Sequence, residues 1–344
     1  MKKYLKHLSL LLILCMFSAT LSGCSLPSSE QTISKSGFYF NTVIQITLYK
    51  SSYESLLEDC FSLADTYESY FSNTVSDSDI SNINNADGAF VEVHDETIEL
   101  LKKGIYYGDL SDGSFDITIG KLSDLWNFST YALLNEVPES AVPTNDEIQE
   151  ALKTVDYKGV TIDGNKVALS NPDSKLDLGG IAKGFIADKM KAYLEENGVE
   201  SGMINLGGNV LTLGKKADGS SYTIGIQKPF SEDGETIASV EVADKTVVSS
   251  GVYERYYEIG DKFYHHILNP HTGYPYDNHL LGVTIICDDS VDGDGLSTTC
   301  FTLGLDDGMA LIESLADVEA IFITDDYELH TSSGMGTTIP YKAL

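Results

Sequence analysis

The sequence is poor in positive charge. Its 344 residues contain 22 lysines and arginines against 52 aspartates and glutamates, which gives a formal net charge of −30. Arg255 is the only arginine of the whole sequence. This balance disfavours nucleic acid, because binding to a phosphate backbone depends on clustered basic side chains, and we expect no nucleic-acid partner. Any anion that the protein binds must contact Arg255, lysines, backbone N–H groups or a metal ion.

Cysteine is also scarce. Of the five cysteines, Cys15 and Cys24 belong to the N-terminal region, which leaves Cys60, Cys287 and Cys300. An odd number of cysteines without metal-ligand spacing does not indicate a disulfide framework. We therefore predict that these three side chains are buried thiols that pack as small apolar groups.

Long apolar runs are missing except at the N-terminus, so no later segment predicts a transmembrane helix. The chain starts with MKKYLKH and continues with the apolar run LSLLLILCMFSAT, which is typical of a secretory signal peptide. A buried core helix is the alternative, which the lysine-led start disfavours. The following Leu21–Cys24, LSGC, resembles the lipobox of bacterial lipoproteins. That resemblance implies cleavage before Cys24 and lipidation of its side chain.

The chain accordingly divides into three parts. Residues 1–23 are predicted to be a lipoprotein signal peptide, and residues 24–36 a lipidated cysteine with a flexible polar tether. Residues 37–344 are predicted to form one large folded unit. Acyl chains on Cys24 would hold this unit at the extracytoplasmic face of the cell membrane.

Helical and strand-like patterns alternate within residues 37–344. Helical periodicity occurs at 53–71, 94–107 and 181–197, and strand-like alternation occurs at 38–49, 221–227 and 237–242. These elements do not follow a regular βαβ period. The sequence therefore predicts an α+β fold with largely antiparallel sheets and packed helices.

One stretch, KLDLGGIAKGFIADKMKAYLEENG at 175–198, combines several signals. Leu176–Leu178 is predicted to end a strand, Gly179 and Gly180 to form a tight turn, and a helix to begin near Ile181. Gly198 stands where a helix C-terminus favours a residue with positive φ.

Lys183 falls in the first turn of that predicted helix. The N-terminus of a helix is positive and disfavours a lysine, so its presence indicates an anion such as phosphate nearby. Asp177 faces the same place from the other side of the turn and could bind a ligand or a metal. The alternative is a plain strand–turn–helix corner with a solvated lysine.

Asp116 lies between Phe115 and Ile117 in a mostly apolar stretch, so its carboxylate is expected to have a specific partner. The polar segment DDSVDGDGLSTT, at 288–299, is predicted to open a helix that runs through Leu303. From residue type alone, its aspartates and hydroxyls are predicted to cap the start of that helix.

Five motifs occur in order along the folded unit: FDITIGKLSDLW, DLGGIAKGFIAD, NLGGNV, SSGVYERYY followed by HHILNPHTGYP, and DGLSTTCFTLG. Together they resemble the ApbE family, the FAD:protein FMN transferases, over essentially the whole chain after the tether. The resemblance implies an ApbE-like fold in a single catalytic unit. It also implies transfer of FMN from FAD to a Thr or Ser hydroxyl of an acceptor protein, with formation of a phosphoester and release of AMP.

The resemblance further implies a cofactor, partners and site residues. The cofactor would be Mg²⁺, with Mn²⁺ or Ca²⁺ as alternatives, and the partners would be FAD as substrate and an extracytoplasmic acceptor with a Thr/Ser flavinylation motif. The residues matching family FAD contacts are Phe40, Ser114, Phe115, Asp116, Asp177, Lys183, His266 and Ile267. Those matching metal ligands are Gly180, Asp294, Ser297 and Thr298.

His266 is the candidate catalytic residue. The acceptor hydroxyl must lose a proton as it attacks phosphorus, and an unperturbed imidazole titrates near neutrality. Without the family resemblance, a structural histidine would be the more common interpretation.

Three other functions remain open at this stage. A metal-dependent FAD pyrophosphatase would use water in place of the acceptor hydroxyl and yield FMN and AMP. A non-enzymatic flavin-binding lipoprotein would retain FAD without forming AMP. A solute-binding lipoprotein is supported only by the signal peptide and the acidity.

Overall fold

The computed structural model describes residues 31–231 and 234–344, so the predicted signal peptide and Cys24 lie outside the described residues. In these two ranges no helix has both the length and the apolar character needed to cross a bilayer. Cys60, Cys287 and Cys300 are buried free thiols, as the sequence predicted.

The strands of the described ranges build one large sheet and three small ones. Their bounds are β1 Ile33–Tyr39, β2 Thr42–Leu48, β3 Val91–Glu92, β4 Val160–Asp163, β5 Lys166–Leu169, β6 Ser201–Leu206, β7 Asn209–Gly214, β8 Tyr222–Gln227, β9 Thr236–Val242, β10 Thr246–Gly251, β11 Tyr256–Ile259, β12 Lys262–His265, β13 Leu280–Cys287, β14 Glu319–Thr324, β15 Leu329–Thr331 and β16 Tyr341–Ala343.

The helices pack mainly on one face of the large sheet. Their bounds are α1 Glu54–Phe71, α2 Asp79–Asn84, α3 Asp95–Leu110, α4 Gly120–Trp126, α5 Phe128–Tyr131, α6 Asn145–Leu152, α7 Ala182–Glu196, α8 Ser290–Leu303 and α9 Leu305–Ser314. Single 3-10 turns occur at Ser51–Tyr53, Glu139–Ala141 and Tyr157–Gly159.

The large sheet has eight strands in the order β1-β2-β6-β7-β10-β13-β14-β15. Every ladder between named strands of the described residues is antiparallel. This confirms the predicted α+β class with antiparallel sheets. The order is not sequential because the chain leaves this sheet three times. Helices α1–α7 and the small sheet β3-β5-β4 lie between β2 and β6, the pair β8–β9 between β7 and β10, and the pair β11–β12 between β10 and β13.

Strand β2 shows why the helices cover one face of this sheet. Ile44, Ile46 and Leu48 are 0% exposed, whereas the alternate residue Gln45 is exposed. Burying each such aliphatic side chain contributes roughly 1.5–3 kcal/mol. Cys60 of α1 belongs to the same core. The period-2 alternation of β2 therefore directs its apolar side chains toward the helices.

The opposite face is covered only in part. The three-stranded sheet β16-β9-β8 places Ile224 and Val240 against Val247, Ile286 and Ile321 of the large sheet, which forms a second core. At β1 and β2 the same face remains open, and Phe38 and Val43 are exposed there as directly opposed register partners.

The N-terminal part of the folded unit differs from the sequence prediction in two ways. Strand β1 begins at Ile33, so residues 33–36, assigned to the tether, pair with β2 instead. The predicted continuous strand at 38–49 is a hairpin. Its turn residues, Phe40 and Asn41, have φ of 51° and 56°, a left-handed pair that matches a two-residue hairpin turn.

The central stretch is a helix as predicted, but it is not preceded by a strand. Helix α7 is followed by Gly198 with φ of 79°, which confirms the predicted C-terminal glycine. The predicted strand at Leu176–Leu178 is wrong, because within the described ranges these three residues pair with no strand and only the preceding Lys175 forms an isolated bridge, to Ile119.

The bounds of helix α8 rule out the capping role predicted for Asp294 and Thr298. It begins at Ser290, so Asp294 and Thr298 lie one turn or more inside a 14-residue helix. Residues at those positions cannot act as N-terminal caps, which have non-helical backbone at the helix start.

Candidate functional site

The first turn of α7 contacts the middle of α8. Lys183 Nζ lies 3.3 Å from Asp294 Oδ1 and donates a hydrogen bond to the carbonyl of Gly179 at 3.2 Å. The backbone N–H of Gly184 donates to Asp294 Oδ2 at 2.9 Å. The anion that the sequence predicted near Lys183 is therefore supplied in part by the protein itself, as the carboxylate of Asp294.

Asp294 is 2% exposed. Burial raises the pKa of its carboxyl group, while the Lys183 ammonium and the Gly184 N–H act in the opposite direction. A buried carboxylate without a cation is costly, so this side chain requires positive charge beside it. Lys183 meets part of that requirement.

A glycine at position 184 is what permits this contact. A Cβ built there would lie 2.1 Å from the carbonyl oxygen of Ser290, which is far inside van der Waals contact. The helices α7 and α8 therefore approach closely only with glycine at this position. Gly184 stands within the motif DLGGIAKGFIAD, but the sequence alone does not indicate this role.

The Gly179–Gly180 turn lies beside the same face of α8. A Cβ built at Gly180 would lie 3.0 Å from the Phe115 ring and 3.8 Å from Thr298 Oγ1. Thr298 is four residues after Asp294, so the two side chains share one face of the helix. Three residues of the predicted metal set, Gly180, Asp294 and Thr298, are thus brought together.

The fourth predicted ligand, Ser297, is fully buried. Its hydroxyl donates to the carbonyl of Asp294 at 2.9 Å and lies 2.8 Å from Ser250 Oγ. Ser250 Oγ is also 3.2 Å from Thr298 Oγ1. Ser250 is the penultimate residue of β10, and its hydroxyl joins those of Ser297 and Thr298 into one cluster. Sequence reasoning missed it, although it stands in the quoted SSGVYERYY motif.

These donors fit a hard divalent cation. In the described part of the chain no group of three or more His, Cys, Asp or Glu side chains could hold a metal. The cluster instead offers one carboxylate, hydroxyls and backbone oxygens. Mg²⁺ prefers such oxygen ligands and keeps several positions for water or substrate phosphate, so a site with a single carboxylate is sufficient.

The segment 114–116 adjoins the turn from the other side. Phe115 contacts Gly180 as described, and the Ser114 carbonyl accepts from the Tyr276 hydroxyl at 3.4 Å. Asp177 donates its backbone N–H to Ile117 at 2.8 Å, and its Oδ1 accepts from Gly179 N–H at 2.9 Å. Asp177 is half-buried.

Asp116 has the specific partners that its apolar surroundings predicted. Its Oδ1 accepts from the backbone and hydroxyl of Thr118 at 2.7 and 2.6 Å, and its Oδ2 accepts from Tyr157 N–H at 3.0 Å. Burial raises the pKa of this carboxyl group. Both oxygens are engaged within the protein, so the side chain orders the loop that presents Ser114 and Phe115.

His266 lies close enough to Arg255 and Lys183 for both positive charges to act on its ring. The backbone N–H of His266 donates to the Arg255 carbonyl at 3.1 Å, and the Arg255 guanidinium donates to the Asn41 carbonyl at 3.4 Å. This places the β1–β2 turn, with Phe40, against the same region. Phe40 N–H is held by Glu68 Oε1 at 2.8 Å.

The ring of His266 has a nitrogen that is unsatisfied in the part of the chain that the structure describes. Its Nδ1 is buried and has no hydrogen-bond partner among the described residues. Burial, followed by the positive charges of Arg255, His265 and Lys183, lowers its pKa to about 3. The imidazole is therefore neutral near pH 7. The expectation that it titrates near neutrality is wrong, but a neutral ring can still accept a proton.

Ile267, the last predicted FAD contact, is buried directly after His266. Its backbone N–H donates to His265 Nδ1 at 3.3 Å, and its carbonyl accepts from Tyr276 N–H at 3.1 Å. These bonds fix the backbone that presents the His266 ring.

Glu254 is a further residue that the sequence did not indicate. Its side chain is open to solvent on one side, yet the surrounding protein desolvates it and raises its pKa to about 7, against the opposing effect of Lys183 and Arg255. Asp294 adds to the rise. Glu254 therefore belongs to the same electrostatic cluster as Lys183, Arg255 and Asp294.

Comparison with known proteins agrees with this geometry. The model of the ApbE family matches residues 40–322. Among curated relatives, a FAD:protein FMN transferase of Klebsiella pneumoniae is 37% identical over 89% of this chain and 93% of its own length. A FAD:protein FMN transferase of Treponema pallidum is 31% identical over 88% and 87%.

Solved structures give the same result. The crystal structure of the ApbE protein from Thermotoga maritima matches with a TM-score of 0.79 and 29% identity, covering 88% of this chain and 97% of that one. The flavin transferase ApbE from Vibrio cholerae matches with a TM-score of 0.77 and 28% identity over the same shares. Sequence, fold and the clustering of the motif residues converge, and the chain belongs to the ApbE family.

Proposed function

We propose that this protein transfers FMN from FAD to a Ser or Thr hydroxyl of an acceptor protein, forming a phosphoester and releasing AMP. The observation that carries this proposal is the meeting of Lys183, Asp294, Thr298 and Gly180 at the N-terminus of α7. That place offers oxygen ligands for a cation and positive charge for a diphosphate within a few ångströms. The names of the family relatives favour a flavin dinucleotide as the diphosphate.

Asp294, Thr298, Ser297 and the carbonyl of Gly180 would hold Mg²⁺, or Mn²⁺ or Ca²⁺ in its place. When bound, the cation neutralises charge on the diphosphate that a protein of net charge −30 otherwise repels. Lys183 adds a second positive charge at the same point. The Gly179–Gly180 turn allows close approach because neither residue carries a side chain.

The remaining residues would orient FAD. Gly179 N–H donates to one carboxylate oxygen of Asp177. The half-exposed side chain can accept a hydrogen bond from the ligand with its other oxygen. Phe40 and Ile267 would contact the flavin half from the hairpin turn and from the His266 segment. Ser114 and Phe115 would line the site next to the Gly179–Gly180 turn, and Asp116 would hold that loop in place.

In the reaction the acceptor hydroxyl oxygen attacks the phosphorus of the FMN half. The bond from that phosphorus to the bridging oxygen breaks, AMP leaves with that oxygen, and the new phosphoester joins FMN to the acceptor. The neutral His266 ring takes the hydroxyl proton. Its lowered pKa makes it a weak base in the free protein, and we expect the negative charge of the bound diphosphate to raise that pKa.

The decisive experiment incubates the protein with FAD, Mg²⁺ and a candidate acceptor protein, then measures the intact mass of the acceptor and the AMP released. A mass gain equal to FMN less one water, with AMP in equal amount, is the expected result. AMP at the same rate without acceptor, and no mass gain, would show FAD hydrolysis instead. Retention of FAD without AMP would show a flavin-binding protein.

We also propose that Cys24 is lipidated and holds the protein at the extracytoplasmic face of the membrane. The sequence Leu21–Cys24 after an apolar run supports this assignment. Expression of the full chain with a labelled fatty acid should label the wild type and not Cys24→Ser. Equal labelling of the two, or a soluble wild-type protein, would contradict it.

A further inference from the structure

The segment Lys175–Leu178, which leads into the Gly179–Gly180 turn, is extended, yet within 31–231 and 234–344 it belongs to no named strand. On one side its backbone bonds to the loop before α4. Gly120 N–H donates to the Lys175 carbonyl at 3.0 Å, and Asp177 N–H donates to the Ile117 carbonyl at 2.8 Å. These two bonds use the alternate backbone groups that point toward that loop.

The other side is held by one side chain, that of Asn84. Leu176 N–H donates to Asn84 Oδ1 at 2.7 Å, and Asn84 Nδ2 donates to the Leu176 carbonyl at 3.0 Å. A carboxamide carries the same donor and acceptor as a peptide group, so Asn84 takes the place of a neighbouring strand. Both backbone groups of Leu176 are thereby satisfied, and its side chain is 0% exposed.

The helix that carries Asn84 is firmly anchored in the fold. It is the last residue of α2, which is capped by Ser78 through a 2.9 Å bond from Ser81 N–H. Ile80 and Ile83 of α2 are buried in the main core at 0% and 2% exposure. The carboxamide is therefore presented from an element that is anchored independently of the Gly179–Gly180 turn.

The position of Leu176 determines the geometry of the site. Asp177 follows it directly, and the turn is fixed to Asp177 by the bond from Gly179 N–H to Asp177 Oδ1. The carbonyl of Gly179 then accepts from Lys183, and Gly180 meets Phe115 and Thr298. A shift of the Leu176 backbone would therefore displace Asp177, Gly179 and Gly180 as a unit.

We propose that Asn84 is a positioning residue of the diphosphate and metal site, acting through its two hydrogen bonds to Leu176. It touches neither substrate nor metal. This inference rests on the proposed function, since it concerns the same site. It predicts that loss of the carboxamide weakens FAD and Mg²⁺ binding more than it weakens the fold.

The test compares Asn84→Leu and Asn84→Asp with Asn82→Ala in the full folded chain. Asn82 is an exposed residue of the same helix whose amide bonds only to Asp77. Equilibrium dialysis measures FAD affinity with and without Mg²⁺, in the absence of acceptor protein, and thermal unfolding is recorded in parallel. We expect about tenfold weaker FAD binding in the presence of Mg²⁺ for Asn84→Leu, typical of losing a partner that orients a ligand. Asn82→Ala should match the wild type.

The aspartate variant supplies a readout that general destabilisation would not move. A protonated carboxyl group offers both a donor and an acceptor, as the carboxamide does, whereas the ionised form offers acceptors only and repels the Leu176 carbonyl. The FAD affinity of Asn84→Asp, relative to the wild type at the same pH, should therefore fall as pH rises through the range where this group ionises. The ratio for Asn84→Leu should stay constant.

The outcomes separate the two claims. The positioning role is wrong if the wild type binds FAD and both Asn84 variants bind it with the affinity of the wild type. It is also wrong if the variants have a lower melting temperature but unchanged FAD affinity. A pH-independent ratio for Asn84→Asp would also overturn it. If the wild type itself neither binds FAD nor forms AMP, the proposed function fails, whatever Asn84 does.

Discussion

The two sides of the site differ in how completely they are assembled. We call Gly180, Lys183, Asp294 and Thr298 the metal side, and Phe40, Arg255 and His266 the hairpin side. On the metal side the carboxylate oxygens of Asp294 face Gly184 N–H and Lys183. On the hairpin side His266 Nδ1 has no partner among the described residues, and Arg255 reaches the turn by one 3.4 Å bond.

The difference has a physical cause. The metal side lies where two long helices meet, and Gly184 allows them to touch, so packing fixes its donors. The hairpin side is built from the two-residue β1–β2 turn and from residues that flank the two-stranded sheet β11–β12, and none of its three residues lies in a helix. We infer that the metal side exists before ligand arrives, whereas the hairpin side gains its last contacts from the ligand.

The largest effect should come from Asp294→Asn on the metal side. The amide keeps the shape and can still accept from Gly184, but it lacks the charge that attracts a cation. We expect FMN transfer to fall on the order of 10²–10³-fold, as when one preorganised electrostatic contact is removed. Transfer is measured as FMN incorporated into the acceptor, with both proteins at the one Mg²⁺ concentration that saturates the wild type. Asp288→Asn, an exposed residue just before α8, should be unchanged; equal rates for Asp294→Asn would refute the assignment.

His266→Ala tests the hairpin side. Because its ring is neutral and its Nδ1 unpartnered, we expect the rate of transfer to fall about 10²-fold, within the range for a lost acid–base group. FAD affinity should change far less. Rates and dissociation constants measured on the same preparation separate the two effects. A loss of affinity that accounts for the whole drop in rate would show that the ring binds FAD and moves no proton.

Arg255→Gln should have a smaller effect. It removes the contact with the Asn41 carbonyl and one of the charges that lower the pKa of His266. We expect about a tenfold slower transfer, corresponding to the loss of one charged hydrogen bond. Arg255→Lys, which keeps the charge, should recover part of the rate. If both variants matched the wild type, the hairpin side would not depend on this contact.

Glu254→Gln should mainly change the pH dependence of stability. The pKa of Glu254 is raised from 4.5 to about 7 in the folded protein. Its stabilising contribution is therefore fully present below pH 4.5 and is lost as pH rises through 7, because the folded form binds the proton more tightly. The melting temperature of the variant minus that of the wild type should therefore be more positive at about pH 8 than at about pH 4. Glu258→Gln, an exposed residue of β11, provides the control, and a constant difference for Glu254→Gln would contradict the raised pKa.

Local patterns of the sequence predicted much of the fold. Period-3.6 and period-2 patterns located α7 and the hairpin β8–β9, and Gly198 marked the end of α7, because each of these depends on neighbouring residues alone. The strand predicted at Leu176–Leu178 failed for the opposite reason. Whether an extended segment joins a sheet depends on what lies beside it, and here that neighbour is Asn84, which is 92 residues away in the sequence.

The candidate site was predictable where chemistry follows from residue type within a motif. Lys183 stood out by its charge and position, and the family resemblance linked it to Asp294. Ser250 and Glu254 did not stand out, since their roles arise from distant partners on α8 and α7. The low pKa of His266 was likewise invisible, because it results from burial beside Arg255 and Lys183.

The most direct test of the central claim is a calorimetric titration of Mg²⁺ into FAD-saturated protein without acceptor, for the wild type and Asp294→Asn. If α8 and the Gly180 turn form the cation site, the wild type should bind Mg²⁺ saturably and the variant should show no binding above dilution. Matching isotherms for the two proteins would contradict the account.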